Sequence, residues 1–308
     1  MKILFLGSSH FSKIVLEKML EKDLNVCAII TQPDKPSGRG HKLLPTEVKS
    51  YGQEKNIPVF TFDRIKLHLD EIKNIDYDLA VVASFGQILP KDFLDNKLTI
   101  NVHPSLLPKY RGPSPIQSAL LNGDKITGVT IMKVACEVDA GDIILQKEFA
   151  INDEYYGDLE EKLALLGGEM VKESVCAIEN GTVKFTPQDS SFATFTTKFT
   201  KEDGHLDFTK SAYEIVNRVR ALSEEVGCYI TLSDQFIKVG KAMDVTGKYE
   251  TKMSTILNYK KNFIIGCKDG AVEILYAQAP SGKMISGRDF INGHNDILGK
   301  NIINLLFF

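Results

Sequence analysis

The stretch Lys2-Ile-Leu-Phe-Leu-Gly7 is followed by apolar residues at helical spacing over 11–21 and then by Val26-Cys-Ala-Ile-Ile30. The first run has the uninterrupted apolar character of a strand buried on both faces. The spacing between the two runs predicts a helix, and the second run predicts another strand. A strand, a helix and a strand in this order indicate two parallel strands joined by a crossover helix.

The same alternation continues to about residue 180. It predicts helices at 45–55, 64–73, 90–94, 112–122 and 157–180, and strands at 59–60, 79–83, 98–100, 129–134 and 143–149. Residues 31–44 are rich in glycine and proline and are predicted to form a loop. Strands that alternate with helices in this way indicate a Rossmann-like parallel sheet with helices on both faces.

The last third of the chain follows a different pattern. Residues 182–206 show no clear period, 210–222 are predicted to form a helix, and short strand-like runs separated by turns fill 228–277. Such spacing suggests a small β-barrel. We therefore predict a catalytic domain at 1–188, a linker at 189–206 and a smaller barrel domain at 207–308.

Composition excludes several classes of protein. The 308 residues are 43% hydrophobic and 25% charged, as in ordinary globular proteins. No apolar run approaches the roughly 20 residues that span a membrane. The five cysteines are scattered and contain no Cys-x-x-Cys, which argues against a zinc site or a disulfide framework. We expect a cytoplasmic protein without a metal and without a membrane partner.

Charge is unevenly distributed along the chain. Residues 1–204 carry 24 Lys/Arg against 29 Asp/Glu, whereas 235–288 carry 9 basic against 4 acidic residues. A basic segment in an acidic protein is a modest indication of a polyanionic partner. Ordinary solvated lysines account for the same numbers equally well, so charge alone leaves both interpretations open.

Candidate catalytic groups follow the strand predicted at 98–100. Asn101 and His103 are two positions apart, so in an extended segment their side chains point to the same side. Ligands of open parallel sheets bind beyond the carboxyl ends of the strands. Asp139 follows in Glu137-Val-Asp-Ala-Gly141, and an amide, an imidazole and a carboxylate suit acyl transfer without a covalent intermediate. Cys136 is an alternative nucleophile that this trio makes unnecessary.

Four motifs extend this pattern. They are Asn101-Val-His-Pro-Ser-Leu-Leu-Pro108, Arg111-Gly-Pro-Ser-Pro-Ile-Gln117, Gly128-Val-Thr-Ile-Met132 and Val138-Asp-Ala-Gly-Asp142. Together they resemble the formyltransferases that use 10-formyltetrahydrofolate. Among these enzymes, Thr31-Gln-Pro-Asp-Lys-Pro-Ser-Gly-Arg-Gly40 is similar to the insertion loop of those that formylate methionyl initiator tRNA.

The resemblance implies a reaction and a set of residues. A formyl group passes from the reduced folate to the amino group of methionine on initiator tRNA, in a monomeric enzyme that needs no metal. Asn101 and His103 stabilise the oxyanion, and Asp139 orients His103 or accepts a proton. Folate contacts are implied for Ser105, Leu106, Leu107, Pro108, Phe85, Gly86, Gln87, Leu89 and Asp142, and tRNA contacts for Arg39, Lys42 and Lys35. The C-terminal barrel is expected to resemble an oligonucleotide-binding fold.

Several features of the sequence bear on alternative functions. The first βα turn holds one glycine, Gly7, where a dinucleotide fingerprint has three, and no phosphate-binding loop occurs. A formyltransferase acting on a sugar nucleotide or another small amine keeps the same catalytic trio and is the main alternative. A non-catalytic folate-binding or RNA-binding protein is disfavoured because all three positions are filled. Arg220-Ala-Leu-Ser-Glu-Glu-Val-Gly227 stands where the family commonly has an Asn-Pro-Trp-Pro-like segment, so the C-terminal tRNA contacts are less certain than the catalytic centre.

Overall fold

A computed structural model describes residues 1–37, 42–232, 235–259 and 261–303. The chain forms two compact units, and each includes more than one stretch of sequence. The first unit comprises Met1–Pro115, Ile126–Ala150 and Glu160–Thr196, and the second comprises Ile116–Lys125, Ile151–Leu159 and Thr197–Phe308. The domain boundaries expected from the sequence stay a prediction.

A seven-stranded sheet forms the centre of the first unit. The strands are β1 (Ile3–Gly7), β2 (Val26–Thr31), β3 (Lys35–Ser37), β4 (Lys42–Leu44), β5 (Val59–Thr61), β6 (Leu79–Ala83), β7 (Thr99–His103), β8 (Ile126–Lys133) and β9 (Ile143–Ala150). The order in the seven-stranded sheet is β5-β2-β1-β6-β7-β8-β9, and β3 and β4 form a separate two-stranded sheet. The five strands from β5 to β7 are parallel, whereas β8 and β9 are antiparallel to their neighbours.

Helices cover both faces of this sheet. In this unit they are α1 (His10–Glu21), α2 (Glu47–Glu54), α3 (Leu69–Lys73), α4 (Lys91–Leu94) and, from Glu160 onward, α6 (Tyr156–Glu179). Apart from Pro115, α5 (Pro115–Asn122) belongs to the second unit. Leu4 and Leu6 of β1 share a buried cluster with Ile72 of α3 and Phe93 of α4. On the opposite face, Gly167 of α6 packs against β7 so closely that an added Cβ would lie 2.6 Å from a Val102 methyl group.

The second unit is built around an antiparallel sheet. Its elements are α7 (Ala212–Leu222), β10 (Cys228–Leu232), β11 (Gln235–Asp244), β12 (Ile256–Tyr259), β13 (Asn262–Gly266), β14 (Ala271–Gln278), β15 (Ile285–Ser286) and α8 (Gly287–Gly293). The strand order is β10-β11-β14-β13-β12, with β15 on β14. The register of β11 against β14 shifts between Val239 and Ala242, and such bulges bend a strand. The sheet curls into a half-barrel, and the expected fold class is confirmed.

Three local expectations differ from the structure. The segment 31–44, predicted to be a loop, contains the short paired strands β3 and β4. The strand predicted at 98–100 continues through His103, because β7 pairs with β8 as far as the His103–Thr130 position. The helix predicted at 64–73 is divided into a 3-10 turn, Ile65–Leu67, and α3. His68 between them leaves helical backbone geometry (φ −122°, ψ 21°), and its ring stacks on Phe62 at 4.4 Å between centroids. Within the described ranges, no helix is both long and apolar enough to cross a membrane.

Candidate active site

Asn101 and His103 lie at the carboxyl end of β7, on the face that carries α3 and α4. Asn101 is opposite Val82 of β6, which belongs to the buried cluster on that face. Residues i and i+2 of a strand share a face, so His103 points to the same side. His103 is buried and Asn101 is half-buried. Among the described residues, none makes a hydrogen bond to the Asn101 amide.

The imidazole of His103 lies between two oxygen atoms. Its Nε2 is 2.9 Å from the carbonyl oxygen of Tyr110, and its Nδ1 is 3.6 Å from Oδ2 of Asp139. A carbonyl oxygen only accepts hydrogen bonds, so Nε2 carries a proton in this arrangement. The same Asp139 oxygen accepts a hydrogen bond from the backbone N–H of Gly112 at 2.8 Å. The structure thus brings together the imidazole and the carboxylate that the sequence analysis selected.

Arg111 and Gln188 also contact this centre, and the sequence analysis did not select them as site residues. The Arg111 side chain is only 1% exposed and donates hydrogen bonds to the Gln188 amide oxygen. The Gln188 side-chain amide in turn donates a hydrogen bond to the backbone carbonyl of Asp139. Arg111 lies in one of the quoted motifs and could have been selected for that reason. Gln188 lies in the aperiodic segment 182–206, where no sequence signal pointed to it.

The segment from Ser105 to Pro108 is held by hydrogen bonds to its surroundings. The buried Ser105 hydroxyl donates to the carbonyl of Lys109 at 2.6 Å, and the Leu107 N–H donates to the Thr130 hydroxyl at 3.2 Å. Leu107 is itself buried, whereas Leu106 and Pro108 are half-buried. Of the four predicted folate contacts in this segment, Leu106 and Pro108 therefore have more surface available for a ligand than the other two.

Residues 85–89 divide into structural and accessible positions. Phe85 is buried in the core cluster, and the Gln87 amide bonds to the Phe62 carbonyl and the Ile65 N–H at 2.7 and 2.8 Å. Gly86 is exposed with φ +75°, and Leu89 is half-buried. Gly86 and Leu89 can face a flat ligand, whereas Phe85 and Gln87 hold the segment in place. Asp142, also assigned to folate, is half-buried, and its carbonyl accepts a hydrogen bond from the Lys133 N–H.

The predicted tRNA loop is only partly described. Lys35 is exposed, and its ammonium group donates to the Gln32 side chain. Arg39 and the side chain of Lys42 lie outside the described residues, so their predicted contacts stay predictions. In the part of the chain that the structure describes, no group of three His, Cys, Asp or Glu side chains is arranged to hold a metal ion.

An imidazole–carboxylate pair lies beside an amide that has no hydrogen-bond partner among the described residues, at the carboxyl edge of a Rossmann-like sheet. This arrangement defines an α/β enzyme suited to carbonyl-group transfer. Residues 1–175 match the formyl transferase family, and residues 198–295 match the formyl transferase C-terminal domain. The chain belongs to the formyl transferase family.

Similar proteins extend over nearly the full chain. A methionyl-tRNA formyltransferase from Fervidobacterium nodosum is 39% identical over 300 residues, covering 95% of this chain and 96% of the relative. One from Thermotoga neapolitana is 38% identical over 95% of each chain, and one from Staphylococcus aureus is 36% identical over 98% of this chain and 99% of the relative.

Solved structures show the same fold at lower identity. HypX from Aquifex aeolicus in complex with tetrahydrofolic acid aligns with 98% of this chain and 48% of its own, at 18% identity and a TM-score of 0.68. An N-formyltransferase from Helicobacter canadensis in complex with folinic acid and dTDP-3-aminofucose aligns with 89% of this chain and 98% of its own, at 21% identity and a TM-score of 0.67.

Proposed function

We propose that this enzyme transfers the formyl group of 10-formyltetrahydrofolate to the amino group of methionine carried by initiator tRNA. The observation that carries the proposal is the pairing of His103 with Asp139 beside Asn101 in a chain that aligns end to end with methionyl-tRNA formyltransferases. A monomer in the cytoplasm is part of the proposal.

The reaction makes three physical demands. Attack of the amine on the formyl carbon creates a tetrahedral carbon with a negatively charged oxygen, which needs hydrogen-bond donors already in place. The amine must lose a proton, and the departing folate nitrogen must gain one. Asn101 and His103 at the end of β7, together with Asp139, meet these demands.

Asn101 is the first donor to the oxyanion. Its amide is half-buried and free of described protein partners, so it can donate to a substrate oxygen without first breaking a hydrogen bond. Removing one oxyanion donor typically lowers turnover about 10²–10³-fold.

His103 and Asp139 act as a unit. The oxyanion replaces the Tyr110 carbonyl as the acceptor of the His103 Nε2–H, which makes the imidazole the second donor. The Asp139 carboxylate lies 3.6 Å from Nδ1 and orients the ring so that its Nε2–H points to the oxyanion. Asp139 also accepts the proton of the attacking amine through a water molecule, and the same route returns that proton to the folate nitrogen as it departs, so no net proton stays on the enzyme.

The residues fit a reduced folate as the formyl donor. Gly86 is exposed and carries no side chain of its own, and Leu106 and Leu89 present apolar surface at the same edge of the sheet. A flat ring system needs such an apolar slot with a few polar contacts. The tetrahydrofolic acid named for HypX supports this choice of donor at the level of the fold.

The identity of the formyl acceptor distinguishes the proposed transfer to tRNA from the alternative transfer to a sugar nucleotide. Labelled 10-formyltetrahydrofolate is offered with methionyl initiator tRNA, with uncharged initiator tRNA, and with a dTDP-linked amino sugar. We expect label only on the charged tRNA. Label on the amino sugar and none on the tRNA overturns the proposal in favour of a sugar-nucleotide N-formyltransferase, and label on neither acceptor rejects both.

A further inference from the structure

A surface segment, residues 186–196, connects the two loops that form the catalytic centre. We call it the strap. At one end, Thr186 and Ile143 exchange backbone hydrogen bonds of 2.8 and 2.9 Å. At the other end, the Arg111 N–H donates to Thr194, and Thr196 donates back to the Arg111 carbonyl, both at 2.8 Å. The strap therefore bridges the loop after His103 and the loop that holds Asp139.

Gln188 lies between these two ends, and its amide uses its full hydrogen-bonding capacity. Its Nε2 donates to the carbonyls of Asp139 and Gly141, each at 2.8 Å. Its Oε1 accepts from Nε and Nη2 of Arg111 at 3.2 and 2.9 Å. An amide offers two N–H donors and one oxygen with two lone pairs, so all of these groups are paired.

Arg111 holds the Gln188 side chain in place through hydrogen bonds to its amide oxygen. Its guanidinium group is almost completely buried, and burying a charge is costly unless the group is fully hydrogen-bonded. Nη1 reaches the exposed carboxylate of Glu137 at 3.3 Å, so Arg111 contacts the 137–141 loop directly as well as through Gln188. The next residue, Gly112, donates its N–H to the Asp139 carboxylate.

Asp139 needs this support because of its backbone. Its φ of +50° lies in the left-handed region, which is unfavourable for residues other than glycine. Such a conformation persists where the surroundings hold it. The Gln188 contacts to the carbonyls on either side of Ala140 hold the backbone at that point.

We propose that Gln188 is a positioning residue that places the Asp139 carboxylate against His103, with Arg111 as its anchor. This inference rests on the proposed function, because it assigns a role within the same site. Gln188 touches neither His103 nor a reacting atom in the described contacts, so it acts through the position of Asp139 alone.

Two substitutions distinguish the role of the Gln188 amide nitrogen from that of its amide oxygen. Gln188→Leu removes all four hydrogen bonds, whereas Gln188→Glu keeps an acceptor for Arg111 and removes the donors to the 139–141 carbonyls. We expect kcat to fall in both variants, by about 10²-fold if Asp139 moves by about 1 Å, with KM for folate and tRNA unchanged. The control is Phe192→Ala, an exposed position in the same strap, which should keep the wild-type kcat.

A double substitution tests whether Gln188 acts through Asp139. In an Asp139→Asn background, Gln188→Leu should lower kcat less than about threefold further, because residues that act as a unit are not additive. A full additional loss, or wild-type kcat in Gln188→Glu, overturns the proposal. Thermal melting of each variant separates positioning from unfolding. If the wild-type enzyme forms no formylmethionyl-tRNA, the proposed function fails, whereas an active wild type with an equally active Gln188→Leu variant removes only the positioning role.

Discussion

Single side chains carry the proposed chemistry, and each depends on neighbours far away in sequence. His103 is oriented by an oxygen seven residues later and by a carboxylate from another loop. The carboxylate in turn depends on Gln188. Catalytic efficiency at this site is therefore sensitive to residues that do not touch the substrate.

His103→Ala should abolish formyl transfer while the protein remains folded. The change removes one oxyanion donor and the partner of Asp139, so we expect kcat to fall by at least about 10²–10³-fold. His68→Ala is the matched control, because that ring is partly exposed and its contacts are with Phe62 and surface carboxylates. Initial rates with saturating substrates provide the measurement, and near-normal turnover in His103→Ala rejects the assignment.

The cysteines are expected to differ in reactivity. Burial raises the pKa of the Cys228 thiol to about 12 and that of Cys267 to about 11, whereas Cys136 is exposed. Thiolates are the reactive form, so an aromatic disulfide reagent at pH 8 should modify Cys136 first and the two buried thiols only after denaturation. Peptide mapping identifies the labelled positions. Early labelling of Cys228 contradicts the prediction.

Cys136→Ser should keep wild-type turnover. The proposed transfer passes directly from folate to amine and needs no thiol nucleophile, and Cys136 is exposed on the connection before Asp139. Loss of activity in this variant, with unchanged melting temperature, revives the nucleophile hypothesis.

The ends of strands and helices determine where functional side chains lie and how firmly the backbone beneath them is held. The continuation of β7 to His103 places the imidazole on ordered strand backbone, next to Thr130 of β8. Helix α7 begins with a capping box, in which Ser211 accepts from the Glu214 N–H and the Glu214 carboxylate accepts from the Ser211 N–H. This reciprocal pair fixes the start of the helix that precedes the second sheet.

Ser211→Ala should destabilise the protein by about 1 kcal/mol, the usual value of an N-cap hydroxyl. Hydrogen bonds from the Ser211 hydroxyl and backbone N–H lower the pKa of Glu214. A lowered carboxyl pKa in the folded state stabilises above the unfolded value of 4.5 and loses this effect as pH falls. The stability difference from wild type should therefore shrink below about pH 4.

Calorimetric unfolding at pH 7 and at about pH 3, below the pH at which the Glu214 contribution begins to fall, measures both quantities. Ser50→Ala, in the interior of α2, is the control, because alanine is at least as favourable as serine inside a helix. A pH-independent difference for Ser211→Ala contradicts the role of the Glu214 carboxylate.

At the scale of the full chain, the two units differ in their folds and in the charge of their sequences. The first unit contains the proposed catalytic centre, and the second contains the whole of the basic stretch 235–288. Each unit also includes segments that are distant in sequence. A large polyanionic substrate is consistent with a basic C-terminal segment.

Arg39→Ala should raise KM for methionyl initiator tRNA much more than KM for folate. The prediction rests on the cationic Ser37-Gly-Arg-Gly40 sequence, because arginines in glycine-rich loops suit phosphate contacts. Raising the salt concentration should weaken tRNA use by the wild type more than by the variant, which has lost one phosphate contact. Equal losses for tRNA and folate remove the loop from acceptor recognition.

Local sequence was sufficient to predict most strands and helices and the Asn101–His103 pair, because periodicity and i/i+2 spacing are properties of neighbouring residues. It could not reveal that Gln188 supports Asp139 or that Phe85 is a core residue, since both depend on which distant segments meet. It also missed the antiparallel direction of β8 and β9. Folding alone brings Asp139, Arg111 and Gln188 to one point, because the hydrogen bonds of Gln188 to the other two join residues 49 and 77 positions apart.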